Sequence, residues 1–241
     1  MNNLNIIVQS KIIEIWRKEI IEKSLATPQQ NPTGIVLGGQ PGAGKSQLSK
    51  MLDEQYRGNL LIINADDYRK YHPEYAHFQA QDMQQSAPKT QEFAALLAES
   101  ILQKAIGERY NIVIEGTFRT AQTPIKTLQQ FKNHAYHTGA MIQTCHKDIS
   151  WASCLERYQK MLAVNPKEAR YTPKEHHDLV IASLAKNIQI VHESQAADFL
   201  SVYVRIPSTI NQEIFDIQKI YDSRDNQIFP LEIIKQAICR Q

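Results

Sequence analysis

The chain has 241 residues, 42% of them hydrophobic and 22% charged, and its formal net charge is +2 at pH 7. This length suits one sizeable α/β domain with a well-buried core, and the small net charge argues against nucleic acid as the main partner. No apolar run approaches the length of a membrane span, so neither a membrane nor a nucleic-acid partner is expected.

An amphipathic helix is predicted near the N-terminus, over residues 4–21. Its isoleucines are interrupted by charged residues, whereas a signal peptide needs an uninterrupted apolar core. The lack of an export signal favours the cytoplasm, and three widely spaced cysteines favour reduced thiols in that compartment. Packing on the sheet is the more common role for such a helix, and lining a protein interface is the alternative.

The segment 39–46 reads GQPGAGKS and fits the phosphate-binding loop pattern G-x-x-x-x-G-K-[ST]. A strand-like run at 34–37 precedes it and a helical pattern at 46–53 follows it. The glycines let backbone N–H groups turn inward around anionic oxygens, and the helix adds its dipole. A fortuitous glycine-rich turn is the alternative. The predicted nucleotide-binding residues are Gly39, Gln40, Pro41, Gly42, Ala43, Gly44, Lys45 and Ser46, with Lys45 on the terminal phosphates of ATP and Ser46 on Mg²⁺.

Short apolar runs rich in β-branched residues alternate with helical patterns along the rest of the chain. This alternation predicts an α/β fold with a mostly parallel central sheet and helices on both faces. The predicted strands are 34–37, 60–63, 112–115, 140–145 and 199–206, and the later helices are 90–106, 124–137, 149–162 and 173–194. The glutamine-rich stretch 79–91 is interpreted as solvated surface.

Polar residues follow two of the predicted strands, at the carboxyl edge where sites of such sheets form. Asp66 and Asp67 come after strand 60–63, and either could take a proton from an acceptor hydroxyl, hold Mg²⁺ or cap the next helix. Glu115, Thr117 and Arg119 follow the next strand. A carboxylate accepts from hydroxyls and a guanidinium binds phosphate, so this group suits a hydroxylated, phosphorylated substrate; a solvated loop is the alternative.

Two later arginines are candidates for stabilising a transferring phosphate. Arg157 lies in a predicted helix and Arg170 in a predicted loop, and a cationic clamp from a mobile segment recurs in phosphoryl transfer. Taken alone, each is more often an ordinary surface residue. His176 and His177 are adjacent and do not share a helix face, so they are expected to be structural or solvated.

Taken together, these blocks resemble the zeta toxin family of bacterial toxin–antitoxin systems, from about residue 33 to at least residue 177. The resemblance depends on the order of these blocks along the chain as well as on their residues. The blocks are the phosphate loop, Asp66 ahead of Tyr68, Arg69, His72 and Pro73, the segment IEGTFRT at 114–120, ERY at 156–158 and ARYTPK at 169–174.

The resemblance implies a P-loop kinase-like three-layer fold in a single domain over 1–241, with the N-terminal helix in 1–26, the kinase core in 33–206 and a C-terminal extension in 207–241. It implies a toxin that uses ATP and Mg²⁺ to phosphorylate the amino-sugar 3′-hydroxyl of UDP-N-acetylglucosamine or a related UDP-sugar. A small helical antitoxin that blocks the nucleotide site is the implied protein partner. The implied catalytic residues are Asp66, Lys45, Arg157 and Arg170, and the implied substrate-binding residues are Glu99, Glu115, Thr117, Arg119 and Thr127.

The sequence departs from the family pattern beside the implied base. Asn64 stands where family members often have a carboxylate, and Asp67 stands where a hydroxyl residue is common. Whether Asp66 or Asp67 is the base therefore stays open, as does the UDP-sugar. A kinase for another hydroxyl acceptor, such as an antibiotic or a polynucleotide end, and a nucleotide-dependent switch that signals by shape are the competing hypotheses.

Overall fold

A six-stranded sheet forms the centre of the computed structural model, which describes residues 3–22, 24–208 and 215–239. The spatial order is β2-β3-β1-β4-β5-β6, with the first five strands parallel and the last antiparallel to its neighbour. This confirms the predicted α/β fold with a mostly parallel sheet. The strands are β1 (Thr33–Gly38), β2 (Leu61–Asn64), β3 (Ile112–Glu115), β4 (His137–Thr144), β5 (Phe199–Pro207) and β6 (Phe215–Asp222).

Nine α-helices lie within these described residues. The first continues as a π-helical segment, Trp16–Ile21, and short 3-10 helices cover Arg69–Tyr71 and Pro166–Glu168. The helices are α1 (Asn3–Ile15), α2 (Lys45–Gln55), α3 (Ala65–Tyr68), α4 (Tyr75–Gln81), α5 (Met83–Gly107), α6 (Gln122–Asn133), α7 (Lys147–Val164), α8 (Lys174–Glu193) and α9 (Leu231–Cys239). None of them is both long and apolar enough to cross a membrane.

Helices cover both faces of the sheet because the side chains of each strand alternate between the faces. In β1, Ile35 and Leu37 join Leu48 and Leu52 of α2 in one cluster, whereas Val36 faces the other way. The larger cluster on the Val36 face takes buried side chains from α1, α5, α6, α8 and α9. The predicted N-terminal helix is therefore part of the core and contacts α5.

Several predicted boundaries were wrong. The helix predicted over 124–137 is α6, which ends at Asn133, and β4 begins at His137; the left-handed φ of Ala135, 56°, turns the chain between them. The helix predicted from residue 90 starts at Met83. The stretch interpreted as solvated contains Gln79, which is only 8% exposed and donates from Nε2 to the Tyr75 hydroxyl at 2.7 Å.

The sheet extends beyond the predicted core. β6 and α9 lie in the segment predicted as a C-terminal extension, of which residues 209–214 and 240–241 lie outside the described part of the chain. β6 pairs along β5 and ends at the buried Asp222, whose side chain accepts hydrogen bonds from Ser201 and Arg224. The first residue of β6, Phe215, lies at the carboxyl edge of the parallel strands, because it pairs with Pro207 at the end of β5.

Candidate phosphoryl-transfer site

The phosphate-binding loop joins β1 to α2 at the carboxyl edge of the sheet, as the sequence predicts. Gly42 and Gly44 have left-handed φ values of 78° and 88°. A Cβ atom on Gly42 would lie 1.9 Å from the carbonyl oxygen of Ser150 in α7, and one on Gly44 would lie 2.2 Å from the Phe215 ring. Only glycine fits at these points, so neighbouring elements hold the loop in its curved shape.

Gln40, one of the variable positions of the motif, ties the loop to the end of β4. Its side chain is fully buried, its Nε2 donates to the Cys145 carbonyl at 2.7 Å, and its Oε1 accepts from the Thr144 hydroxyl at 2.9 Å. Because both ends of the amide have partners, its burial carries no unsatisfied polar group. The motif alone gives no sign of this anchoring role.

The ammonium group of Lys45 lies across the loop, donating to the carbonyls of Gly39 at 2.9 Å and Gln40 at 3.3 Å. Burial lowers the pKa of Lys45, the carboxylates of Glu115 and Asp66 raise it, the Arg157 guanidinium lowers it, and the net result is a pKa below the ordinary value.

The loop and the start of α2 fit the phosphates of a nucleotide. The curved loop backbone, the ammonium group of Lys45 and the N-terminus of the eleven-residue helix α2 all produce a positive electrostatic potential in the space enclosed by the loop. The Ser46 side chain is exposed in the first turn of that helix. A hydroxyl oxygen beside phosphates fits Mg²⁺, a hard cation that prefers oxygen ligands.

Asp66 is held at the start of α3 by residues on both sides. The Asn64 side chain caps this helix, with its Oδ1 accepting from the Asp66 backbone N–H at 3.0 Å. Arg69 Nε donates to Asp66 Oδ1 at 2.7 Å, and the same guanidinium donates to Ala87 O and Thr90 Oγ1 of α5. The Asp66 backbone is thus fixed to β2, and its carboxylate is fixed to α5 through Arg69.

The Asp66 carboxylate stays ionised at neutral pH. Burial raises the pKa of Asp66, but the charge and hydrogen bond of Arg69 and the charges of Arg170 and Arg157 together lower it below the ordinary value. An ionised carboxylate can accept a hydrogen bond from a hydroxyl group. Both arginines predicted to stabilise phosphate therefore act on the predicted base.

Asp67 faces a different partner. Its Oδ1 accepts from Arg170 Nη2 at 3.0 Å, and both side chains are more than one-third exposed, at 54% and 38%. This exposed ion pair joins α3 to the segment that precedes α8. The Asp66 side chain is exposed to a similar degree, at 52%, and its partner Arg69 is 17% exposed.

Glu115 links the phosphate-loop helix to the Asp66 helix. It pairs with Leu37 of β1 and Asn64 of β2, so it ends the strand between them. Its Oε1 accepts from Ser49 Oγ at 2.6 Å and its Oε2 from Asn64 Nδ2 at 3.0 Å. Both carboxylate oxygens of Glu115 therefore accept hydrogen bonds from protein side chains, which gives Glu115 a positioning role. The sequence analysis missed this role, although the polar residue at the end of β2 could have indicated it.

Thr117 and Arg119 lie in a loop whose backbone is fixed by its neighbours. Phe118 between them has a φ of 55° and is buried against Gly38. The carbonyl of Arg119 accepts from Ser183 Oγ and Asn187 Nδ2 of α8 at 3.2 and 2.8 Å. The Arg119 side chain is exposed, and Thr117 is half-buried.

The two adjacent histidines have different surroundings. Burial and the charge of Arg119 lower the pKa of His176, while Asp66 raises it, so this half-buried ring lies near both predicted site residues. That His176 is structural or solvated stays a prediction. His177 is buried, with Nε2 2.8 Å from Ser150 Oγ, and it holds α8 against α7.

Arg157 and the remaining two predicted residues lie on helices around this centre. Arg157 Nη2 donates to Thr172 Oγ1 at 3.1 Å, which joins α7 to the segment before α8. Glu99 of α5 accepts from Gln103 and, at 3.3 Å, from Gln130 of α6. Thr127 is buried in α6 and donates to a carbonyl of its own helix. Within the described residues, neither Glu99 nor Thr127 forms a hydrogen bond or ion pair with the phosphate loop or Asp66.

A glycine-rich phosphate loop between β1 and α2 of a mostly parallel sheet defines the P-loop kinase-like class. The family model of the zeta toxins matches residues 17–226. Toxin PezT of Streptococcus pneumoniae serotype 4 (strain ATCC BAA-334 / TIGR4) is 33% identical over 209 residues, which is 87% of this chain and 79% of that protein. Toxin zeta of Streptococcus pyogenes is 31% identical over 225 residues, 93% of this chain and 74% of that protein.

The similarity extends to three dimensions. A solved chain from the PezAT chromosomal toxin–antitoxin system of Streptococcus pneumoniae superposes with a TM-score of 0.81 at 27% identity, covering 96% of this chain and 87% of that chain. The protein described here therefore belongs to the zeta toxin family. Family and fold together support a phosphotransferase that uses a nucleotide.

Proposed function

We propose that the protein is the toxin of a toxin–antitoxin system and acts as a Mg²⁺- and ATP-dependent kinase. In this proposal it phosphorylates the amino-sugar 3′-hydroxyl of UDP-N-acetylglucosamine or a related UDP-sugar. The single observation that carries the proposal is the chain of hydrogen bonds from the phosphate-loop helix to Asp66. Glu115 accepts from Ser49 of that helix and from Asn64, and Asn64 caps the helix that carries Asp66.

Each of these residues has a chemical part in the proposed reaction. Asp66 accepts the proton of the acceptor hydroxyl as the acceptor oxygen bonds to the terminal phosphorus of ATP and the bond to the β-phosphate oxygen breaks, which releases ADP. Lys45 and the two arginines, Arg157 and Arg170, balance the negative charge that spreads over the moving group. Ser46, together with the donor phosphates, would hold Mg²⁺, which would neutralise charge on the leaving group.

Asp66 is the better candidate for the base than Asp67. Its carboxylate is fixed by Arg69 at 2.7 Å, and its backbone by the Asn64 cap. Asp67 pairs with Arg170, which is 38% exposed, whereas the Arg69 partner of Asp66 is 17% exposed and also donates to α5. A low pKa makes Asp66 a weak base, so in this reaction it chiefly orients the hydroxyl and takes the proton late.

The acceptor is proposed to bind beside Asp66 and the loop of Thr117 and Arg119. The exposed guanidinium of Arg119 suits the diphosphate of a nucleotide sugar, because arginine binds phosphate oxygens in a forked geometry. Glu99 and Thr127 are proposed to contact the acceptor on the strength of family resemblance alone. Glu115 is proposed to act through its link to Ser49 and Asn64 as well as toward the acceptor.

Mass spectrometry of reactions containing the protein, Mg²⁺, ATP and a panel of UDP-sugars tests this proposal. We expect one added phosphate on UDP-N-acetylglucosamine or a related UDP-amino-sugar, and ATP consumption that depends on the acceptor. The lack of any phosphorylated sugar across the panel would reject the UDP-sugar acceptor, and acceptor-independent ATP hydrolysis would then favour a switch over a kinase for another acceptor.

The antitoxin is tested separately, in cells. The names of the similar proteins support a partner that neutralises a toxin. Expression of this chain alone should arrest growth, and co-expression of the neighbouring reading frame should restore it. A Lys45→Met chain is the matched control and should not arrest growth, since the proposed toxicity requires phosphoryl transfer.

A further inference from the structure

Two side chains outside every sequence motif, Arg205 of β5 and Phe215 of β6, lie beside the phosphate loop. The guanidinium carbon of Arg205 is 3.8 Å from the centre of the Phe215 ring. That ring contacts the last glycine of the loop, because a Cβ atom on Gly44 would lie 2.2 Å from it. A planar cation and an aromatic ring thus form one surface against the loop.

The surface is tied to the two helices that flank the loop. Gln47 of α2 donates from Nε2 to the Phe215 carbonyl at 2.6 Å, one turn or less from Lys45. Arg205 Nη1 donates to Ser153 Oγ of α7 at 2.8 Å. Arg205 and Phe215 are each half-buried, so both keep part of their surface open to a ligand.

The strand order gives the direction in which a bound nucleotide runs. Glu115 and Asp66 follow β3 and β2, which lie on one side of β1, whereas β5 and β6 lie on the other side. A triphosphate whose terminal phosphate faces Asp66 and Lys45 therefore extends its sugar and base toward the opposite side, where Arg205 and Phe215 lie.

We propose that Arg205 and Phe215 form the platform on which the base of the nucleotide donor stacks. The inference rests on the proposed function, in which the donor is a nucleoside triphosphate. Guanidinium planes and aromatic rings both stack on heterocyclic bases, and the face of a base needs no hydrogen-bond partner there. The Phe215 side chain has no polar atom, so stacking on it contributes to the affinity for the nucleotide without distinguishing one base from another. Any selectivity among bases comes from other groups.

The test compares ATP with inorganic tripolyphosphate, which has the phosphates without the base. Phe215→Leu keeps an apolar side chain against Gly44 but removes the ring. Isothermal titration calorimetry in Mg²⁺ should show ATP binding weakened by about 5- to 150-fold, the range for losing one base stacked on an aromatic ring. Tripolyphosphate affinity should change by less than about twofold, since the phosphate contacts remain.

Further variants separate stacking from support of the loop. Phe215→Tyr keeps the ring and should keep ATP affinity, and Arg205→Lys keeps the charge but loses the plane and should weaken ATP alone. Phe229→Leu, in an aromatic cluster with His192 and Tyr221, is the matched control and should change neither affinity. Circular dichroism and thermal melting identify any variant that fails to fold.

Equal loss of ATP and tripolyphosphate in Phe215→Leu would overturn the inference, because the ring would then act by shaping the loop. Unchanged or tighter ATP binding in both Phe215→Leu and Arg205→Lys would overturn it as well. These results leave the kinase proposal standing. A wild-type protein that binds ATP and phosphorylates no UDP-sugar contradicts only the acceptor assignment, whereas one that binds no ATP contradicts both.

Discussion

Asn64 joins the two carboxylates of the site, and Asn64→Ala tests that link directly. The amide accepts from the Asp66 N–H at 3.0 Å and donates to Glu115 Oε2 at 3.0 Å. Losing a helix N-cap costs about 0.5–2 kcal/mol, and losing a hydrogen bond to a charged group about 1.5–3 kcal/mol. Because Asn64 and Glu115 are only half-buried and the two losses are coupled, we expect the free energy of unfolding to fall by about 2–3 kcal/mol.

The same change should slow phosphoryl transfer. Without the cap, the Asp66 carboxylate is held only by Arg69, and misplacement of a base relative to its hydroxyl reduces turnover. We expect kcat to fall about tenfold, which corresponds to about 1.4 kcal/mol in the barrier. The dissociation constant of ATP should change little, since no atom of Asn64 belongs to the phosphate loop.

Asn64→Asp is the matched control, because aspartate caps a helix as well as asparagine does. Its ionised side chain cannot donate to Glu115, so two carboxylates would face each other and the pKa of one of them would rise in the folded state. A raised carboxyl pKa lowers stability above that pKa and not below it. The deficit of this variant against the wild type should therefore shrink as the pH falls.

Urea unfolding followed by circular dichroism at several pH values, with steady-state kinetics at neutral pH, measures all of these effects. If Asn64→Ala matched the wild type in both unfolding free energy and kcat, the link between the carboxylates would have no role in either. A deficit of Asn64→Asp that did not change with pH would contradict the contact with Glu115.

Three more variants probe other parts of the structure. Gly42→Ala should lower the unfolding free energy by about 1–3 kcal/mol and weaken tripolyphosphate binding. The backbone φ at this position is positive, and the new methyl group would collide with the Ser150 carbonyl. Equal melting temperatures of variant and wild type would contradict this prediction. Asp222→Asn should cost about 2–3 kcal/mol at pH 7, since hydrogen bonds from Arg224 hold the pKa of the buried Asp222 well below its ordinary value. The stability from this lowered pKa is fully present above the unfolded pKa of about 3.9 and is lost as the pH falls toward the folded pKa, so the difference in unfolding free energy between wild type and variant should shrink steadily below about pH 4. Lys45→Met should reduce kcat/KM by at least about 100-fold yet melt no lower than the wild type, because burial disfavours the ammonium charge.

The fold was largely predictable because its signals are local. The run 34–37, the glycine loop and the helical pattern after it are contiguous, and the strand at 112–115 was predicted with its observed bounds. β6 was missed because it is a half-exposed antiparallel edge strand, in which Gln218 and Lys219 interrupt the apolar pattern. Its pairing with β5 is a tertiary contact that no local sequence pattern predicts.

The sequence predicts candidate site residues but not the contacts between them. Asp66, Lys45 and Arg157 were each predicted from position and family resemblance, and their roles stay predictions. The link from Glu115 to Ser49 and Asn64 joins residues 66 and 51 positions apart, so only the folded chain shows it. The sequence also does not show which side chain pairs with each of the two adjacent carboxylates.

The most direct test of the central claim is the single-turnover rate of Asp66→Asn, with Asp67→Asn measured in parallel, at saturating ATP and a UDP-amino-sugar acceptor. If Lys45 acts on the donor phosphate and Asp66 on the acceptor hydroxyl, Asp66→Asn should transfer phosphate about 100- to 10,000-fold more slowly while its ATP affinity stays within about twofold. Asp67→Asn should retain most of the rate. Wild-type transfer by Asp66→Asn, or a full loss confined to Asp67→Asn, would contradict the account.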